Sequence, residues 1–266
     1  MAALPLLTLF VLVPSEADTA KPPTDGPHVT IADVGDLRHP LPRVEKIILR
    51  RTNGLREQKE LGTLGRDPKL DQAAQWFADF MARTGEYGHE ADGREPDERI
   101  VSAGYERCAT GENIAWLGAE GQRIKDSTLG SEFYTGWRDS PPHYENMVNG
   151  DFSEIGLGVA RSDETGRYYA VQLFGRPSAS QFPIELVNES GRQIDYIFDG
   201  RTVSLPSNGW RQHVVCSPVE VKVADLEPQA IAEPTRLVIE QTTDGLTANE
   251  SGSPRELPED ADLSRL

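Results

Sequence analysis

Midway along the chain the hydrophobic period changes, and that change limits the fold more than any single residue does. Before residue 140 the apolar positions follow a helical spacing. Leu70, Ala73, Ala74, Phe77, Ala78 and Met81 share one face, with Asp67 as N-cap, Pro68 in the first turn and Gly85 as the stop. Val44, Ile47, Ile48 and Leu55 predict an earlier helix from Arg43, Pro96 to Ala103 a short one closed by Gly104, and Leu129, Phe133 and Trp137 another that Asp126 can cap. Ser140-Pro141-Pro142 ends that last helix, because a residue before proline is pushed out of the helical region and proline cannot donate, so His143 leaves a stiff corner. From Ile155 the spacing is that of strands: Ile155, Leu157 and Val159 alternate with Gly156 and Gly158, and Tyr168 to Phe174 follows a turn at Gly166. Helices followed by strands predict an α+β fold with helices packed on an antiparallel sheet.

Phe174-Gly175 closes this unit, and Pro177 to Gln181 reads as a linker. Every later signal is β: alternating runs from Ile184 to Val223 are separated by Ser190-Gly191, Asp199-Gly200 and Asn208-Gly209. Asp-Gly and Asn-Gly between alternating runs are hairpin signals, so residues 182–240 are expected to form a small all-β, sandwich-like module. Residues 241–266 are acidic and are expected to be a disordered tail, and the proline-bearing residues 21–42 a linker ahead of the first domain, residues 43–176.

Ala2 to Val13 is apolar except for Pro5 and Thr8, with small residues following, so residues 1–20 read as a secretory leader, although no Lys or Arg precedes Lys21. That run is shorter than the roughly 20 apolar residues a bilayer span needs, and no later segment is longer. The mature chain is therefore expected to carry no transmembrane segment and to be secreted, periplasmic or held in the cell envelope. A formal charge of -16, from 43 acidic against 27 basic residues, argues against nucleic acid as a partner. Cys108 and Cys216 allow a disulfide or two separate buried thiols, and Cys108 can also be read as a soft metal ligand.

Three residues carry candidate chemistry. His89 and His143 flank Glu112, which sits in Gly111-Glu112-Asn113-Ile114-Ala115. Two imidazoles and a carboxylate suit a borderline divalent ion such as Zn²⁺, with water in a remaining position. Spacing alone equally allows two structural histidines and a glutamate that satisfies backbone donors in a turn, since the distances match no local ligand motif. Ser140, close to His143, has no nucleophile elbow around it and is accounted for as a helix stop. Arg94 and Arg99 read as ion-pair or carbonyl partners near the site loop, or as binders of a substrate anion.

A longer set of motifs, in order, resembles a known family. Thr52-Asn53-Gly54-Leu55-Arg56, Gly88-His89, Asp92-Gly93-Arg94, Arg99, Ala103-Gly104-Tyr105, Gly111 to Ala115, Trp137, Ser140-Pro141-Pro142-His143, Asn146-Met147, Glu154 to Gly158 and Val171 to Gly175 resemble the CAP superfamily (SCP, or pathogenesis-related-one-like, domain) in its bacterial form. The resemblance implies a three-layer α-β-α sandwich followed here by the β module. It also implies export, and a cleft lined by His89, Glu112, Ser140 and His143, with His89 and His143 as metal ligands. Ser140 stands where many members carry a second acid, which removes the partner of a paired acid/base mechanism. Two functions follow as expectations: an extracellular binding module for a lipid, glycan or peptide, or a metal-dependent peptidase or esterase in which Glu112 is catalytic. A third reading makes the domain a spacer that presents the β module to a partner in the envelope.

Overall fold

A computed structural model describes residues 41–118 and 123–256. The leader and nearly all of the linker expected before residue 43 lie outside these residues, as do the last ten residues. The chain separates into two compact units, with Pro177 ending the first and Ser178 beginning the second.

The first unit is built from α1 (Pro42–Gln58), β1 (Gly65–Arg66), α2 (Pro68–Thr84), α3 (Pro96–Ser102), β2 (Arg107–Leu117), α4 (Asp126–Arg138), α5 (Pro141–Met147), β3 (Glu154–Arg161) and β4 (Tyr168–Pro177). Its sheet has the order β1-β3-β4-β2, antiparallel except for the short parallel β1–β3 pair. Successive residues of β4 point to opposite faces. Tyr168, Ala170 and Phe174 join the core under α1, α4 and α5, whereas Tyr169, Val171 and Leu173 join the core under α2 and α3. Two separate apolar cores on the two faces of one sheet make the three-layer α-β-α sandwich.

The α2 layer approaches β3 closely because Gly156 and Gly158 carry no side chain. A methyl group at either would overlap the backbone of Leu70 or Ala74. In return, Asp71 and Gln75, one helical turn apart, accept the Leu157 and Val159 amides. The helix thus supplies hydrogen bonds that a further strand would otherwise provide beyond the two-residue β1. The ends of α2 follow the sequence: the Asp67 carboxylate accepts from the Lys69 and Leu70 amides, and Gly85 closes the helix at φ 75. At α4 the expected cap differs, since Lys125 occupies the N-cap and Asp126 is the first helical residue. The Ser140 corner also differs: Pro141 opens α5, so His143 lies on a helix. Proline at a first helical position lacks only an N–H that would be unpaired there anyway.

The second unit holds β5 (Phe182–Asn188), β6 (Ile194–Phe198), β7 (Arg201–Leu205), β8 (Trp210–Val215), β9 (Val219–Val223), β10 (Gln229–Ile231), β11 (Thr235–Thr242) and β12 (Gly245–Glu250). Its two sheets, β10-β9-β6-β7 and β12-β11-β5-β8, enclose one core that includes Ile184, Leu186, Tyr196, Val221 and Leu237. Asp199 and Gly200 both take positive φ in the β6–β7 hairpin, as its two-residue turn requires. The disordered tail expected from residue 241 is corrected in its described part. β11 runs to Thr242 and β12 pairs with it from Gly245, so sheet hydrogen bonds and Leu246 packing outweigh the local acidity. No helix among the described residues is long and apolar enough to cross a membrane. Neither cysteine is a free thiol, which removes Cys108 as a soft metal ligand, because only a thiolate ligates.

Candidate functional site

Glu112 lies in the middle of β2, the outer strand of the first sheet, and not in a turn. Each residue of its motif has a separate task. Gly111 leaves room for the Phe152 ring, which would be 2.8 Å from a methyl group there. Ile114 packs into the core below α2 and α3. Asn113 faces the opposite layer, fully buried; its Nδ2 donates to the His143 carbonyl at 3.0 Å and to Gln172 Oε1 at 3.1 Å, and its Oδ1 accepts from Asn146 Nδ2 at 2.9 Å. Gln172 in turn donates to the Thr52 hydroxyl on α1. This buried chain of amides holds α5, and with it His143, against β2.

The Glu112 side chain turns toward the α2–α3 layer, where it is engaged on both oxygens. Arg99 Nη2 donates to Oε1 at 3.1 Å and Oε2 at 2.9 Å, and His89 Nδ1 lies 2.7 Å from Oε1. Arg99 is itself enclosed: Nη1 donates to Asp92 Oδ1 at 2.6 Å and to the Arg94 carbonyl, Nη2 to the His89 carbonyl, and the Phe77 ring lies 3.6 Å below its guanidinium carbon. Arg94 covers Trp76 and pairs with Asp92. Both arginines are therefore structural partners of the loop that carries His89. The side chains of Asp92, Arg99 and Glu112 are almost fully buried, so each charge depends on the others for compensation. The nearby Glu112 adds to burial in pushing the Tyr87 phenol up to about 12, which keeps it protonated.

His89 and His143 come from opposite helical layers to the outer strand β2, near enough for His89 to act electrostatically on His143. His89 follows α2 and keeps 46% of its side chain exposed. His143 is more enclosed; burial first, and the neighbouring His89 second, lower its pKa, so its imidazole is neutral at neutral pH. Its Nδ1 is buried and makes no hydrogen bond among the described residues. The edge of β2 is closed to strand addition: Asn146 donates to the Glu112 carbonyl, and Trp137 Nε1 and the Tyr87 hydroxyl both donate to the Ile114 carbonyl. Ser140, buried at the N-cap of α5, offers its carbonyl to the Tyr144 amide at 2.8 Å.

The structure thus joins His89 to Glu112 directly and ties His143 to the same strand through Asn113. Sequence reading did not assign roles to Asn113, Asn146 and Asp92, although all three stand in the recognised motifs. A buried amide or carboxylate beside a candidate histidine was the signal available.

Among the described residues no group of three or more His, Cys, Asp or Glu is placed to hold a metal ion. Glu112 does not fit as a ligand, because Arg99 and His89 use its oxygens. The two imidazoles fit better: His143 has a nitrogen without a hydrogen bond among the described residues, and the Glu112 carboxylate on His89 Nδ1 leaves Nε2 as the ring's other nitrogen.

A sandwich of two helical layers on one mainly antiparallel sheet, with two histidines beside its outer strand, defines the class. Residues 49–174 match the CAP family, described as the Cysteine-rich secretory protein family, and this part of the chain is a CAP domain of bacterial type. The chain is 27% identical over 133 residues to the uncharacterized protein YkwD of Bacillus subtilis, a match covering 50% of this chain and 47% of that one. It therefore spans about half the length of that relative. Among solved structures, an outer surface protein of Borrelia burgdorferi aligns at 23% identity and a TM-score of 0.44, over 53% of this chain and 98% of its own. An extracellular SCP-domain protein of Bacillus anthracis aligns at 22% and 0.41, over 49% and 39%.

Proposed function

We propose that the CAP domain is an exported or cell-envelope binding module whose cleft, between His89 and His143, takes an extracellular lipid, glycan or peptide, with a divalent ion such as Zn²⁺ on the two imidazoles. The observation that carries this reading is the engagement of Glu112. A carboxylate clamped by a buried guanidinium and an imidazole is a positioning group and a poor general base. With Ser140 in place of a second acid, the cleft has the means to orient a ligand and lacks a free carboxylate pair.

Held by His89 and His143, a divalent ion would supply a Lewis-acidic contact for a ligand oxygen. Two protein ligands make modest affinity the expectation. Calorimetric titration with Zn²⁺ at neutral pH tests it: His143→Ala abolishes binding, and Glu112→Gln weakens it by roughly 10- to 100-fold through loss of His89 orientation. Equal affinity in wild type and His143→Ala, or none in either, removes the ion from the reading.

Hydrolysis of a peptide or ester is the second reading. One observation favours it, a neutral His143 with a nitrogen free of hydrogen bonds among the described residues. Turnover of a peptide or ester pool that disappears in His143→Gln would establish it.

A further inference from the structure

The outer face of the β12-β11-β5-β8 sheet carries a feature unrelated to the cleft. Ile184 and Leu186 of β5 point into the sandwich core, so Glu185 between them points out. Yet Glu185 is fully buried, because residues 251–256 after β12 cross over it. This segment is fixed at its start by paired contacts with Arg236: the Ser251 amide donates to the Arg236 carbonyl, and Arg236 Nη1 donates to the Ser251 carbonyl.

Arg255 is then read at three points. Its amide donates to Glu185 Oε2 at 2.9 Å, its carbonyl accepts from Gln212 Nε2 at 2.8 Å, and its guanidinium lies 4.3 Å from the Trp210 ring centroid with Nη1 3.3 Å from Glu185 Oε1. A carboxylate below, an indole on one side and an amide for the main chain form a built arginine site. Two further facts show that its occupant is loosely kept. Glu185 Oε1 is buried and ion-paired with Arg255 Nη1 at 3.3 Å and Arg236 Nε at 3.8 Å but makes no hydrogen bond, so Arg255 holds this oxygen by charge alone. The Arg255 side chain is 48% exposed and Trp210 53%, so solvent and a competitor reach both.

We propose that this face is a recognition site for an arginine-bearing extended segment of a partner protein, occupied in the resting chain by its own Arg255. Nothing in the contacts depends on the covalent link to β12. They are a backbone amide, a backbone carbonyl and a planar cation, which any extended segment with one arginine presents. The chain's own segment competes as a tethered ligand and sets the threshold a partner must exceed.

The test uses a synthetic peptide with the sequence of residues 249–258 and the full chain carrying Arg255→Ala. The peptide is expected to bind this variant at least tenfold more tightly than the wild type, where the tethered arginine competes at an effective concentration on the order of millimolar. The same peptide with alanine for arginine is expected not to bind, and adding Glu185→Gln to the variant to weaken binding at least tenfold. In the unmodified chain, excess peptide is expected to speed hydrogen exchange of the Arg255 amide, a reading that does not depend on any variant folding. Absence of peptide binding to Arg255→Ala, equal binding of the alanine peptide, or unchanged exchange at Arg255 would each overturn the proposal.

Discussion

Arg99 and Asn188 set the residue scale. Arg99 is the centre of the cleft's buried charge, joining Asp92, Glu112 and two loop carbonyls. Removing one member of such a group strands the others, so Arg99→Met is expected to cost about 3–5 kcal/mol by urea denaturation, and Glu112→Gln, which keeps the shape and an acceptor, clearly less. Asn188 begins an Asn-Glu-Ser sequence that reads as a glycosylation site, but its side chain is fully buried. It donates to the Arg192, Leu205 and Pro206 carbonyls and accepts from Ser190, tying two turns of the β module together. Sequence reading anticipated Arg99 as an ion-pair or carbonyl partner near the site loop without naming its acids, whereas the role of Asn188 escaped it, because its partners are backbone carbonyls of two turns that no local pattern announces.

At the scale of elements, helix α2 and strand β3 act as one piece. Gly156 and Gly158 were legible as positions in an alternating strand, but their purpose, backbone contact with α2, was not. Gly158→Ala is expected to destabilise by at least the 1–3 kcal/mol typical of overpacking, since rigid helix backbone and not a flexible side chain stands in the way. Thermal unfolding checks it, with Gly54→Ala, which meets nothing nearby, as the control. Asp67→Ala, which removes two cap hydrogen bonds from α2, is expected to cost about 1 kcal/mol in the same assay. β2, like α5 and β12, is an element that sequence reading did not identify. Gly111, Glu112 and Asn113 have poor strand propensity, and ten registered partners in β4 override it.

For the whole molecule, the two units are expected to answer acid differently. In the β module the hydroxyl of Tyr196, whose phenol burial pushes up to about 12, shares a 2.6 Å hydrogen bond with His213 Nε2, and Phe198 stacks on the imidazole. Burial, with Arg211 adding to it, lowers His213 to about 4. A histidine depressed in the folded state contributes no penalty above its unfolded value near 6.5 and loses stability as pH falls toward the folded one. The module should therefore lose at most roughly 3 kcal/mol between about pH 6.5 and 4, and His213→Gln should flatten that slope in pH-dependent melts. In the CAP domain, burial raises Asp79 to about 6, which has the opposite sign: its cost is present at neutral pH and is relieved as pH falls through 6 toward the unfolded value. Periodicity and turn dipeptides were enough to divide the chain into a helix-and-sheet domain and a β module, because each element's apolar stripe and each Asp-Gly or Asn-Gly turn is encoded within a few residues. Ordered motifs were enough to recognise the CAP domain. Only the tertiary structure decided that Glu112 is clamped, that His89 and His143 come from opposite layers to the same strand, and that residues 251–256 lie over Glu185. Those outcomes depend on charges and carbonyls brought together from distant parts of the chain, where pairing energy in a buried setting outweighs local propensity.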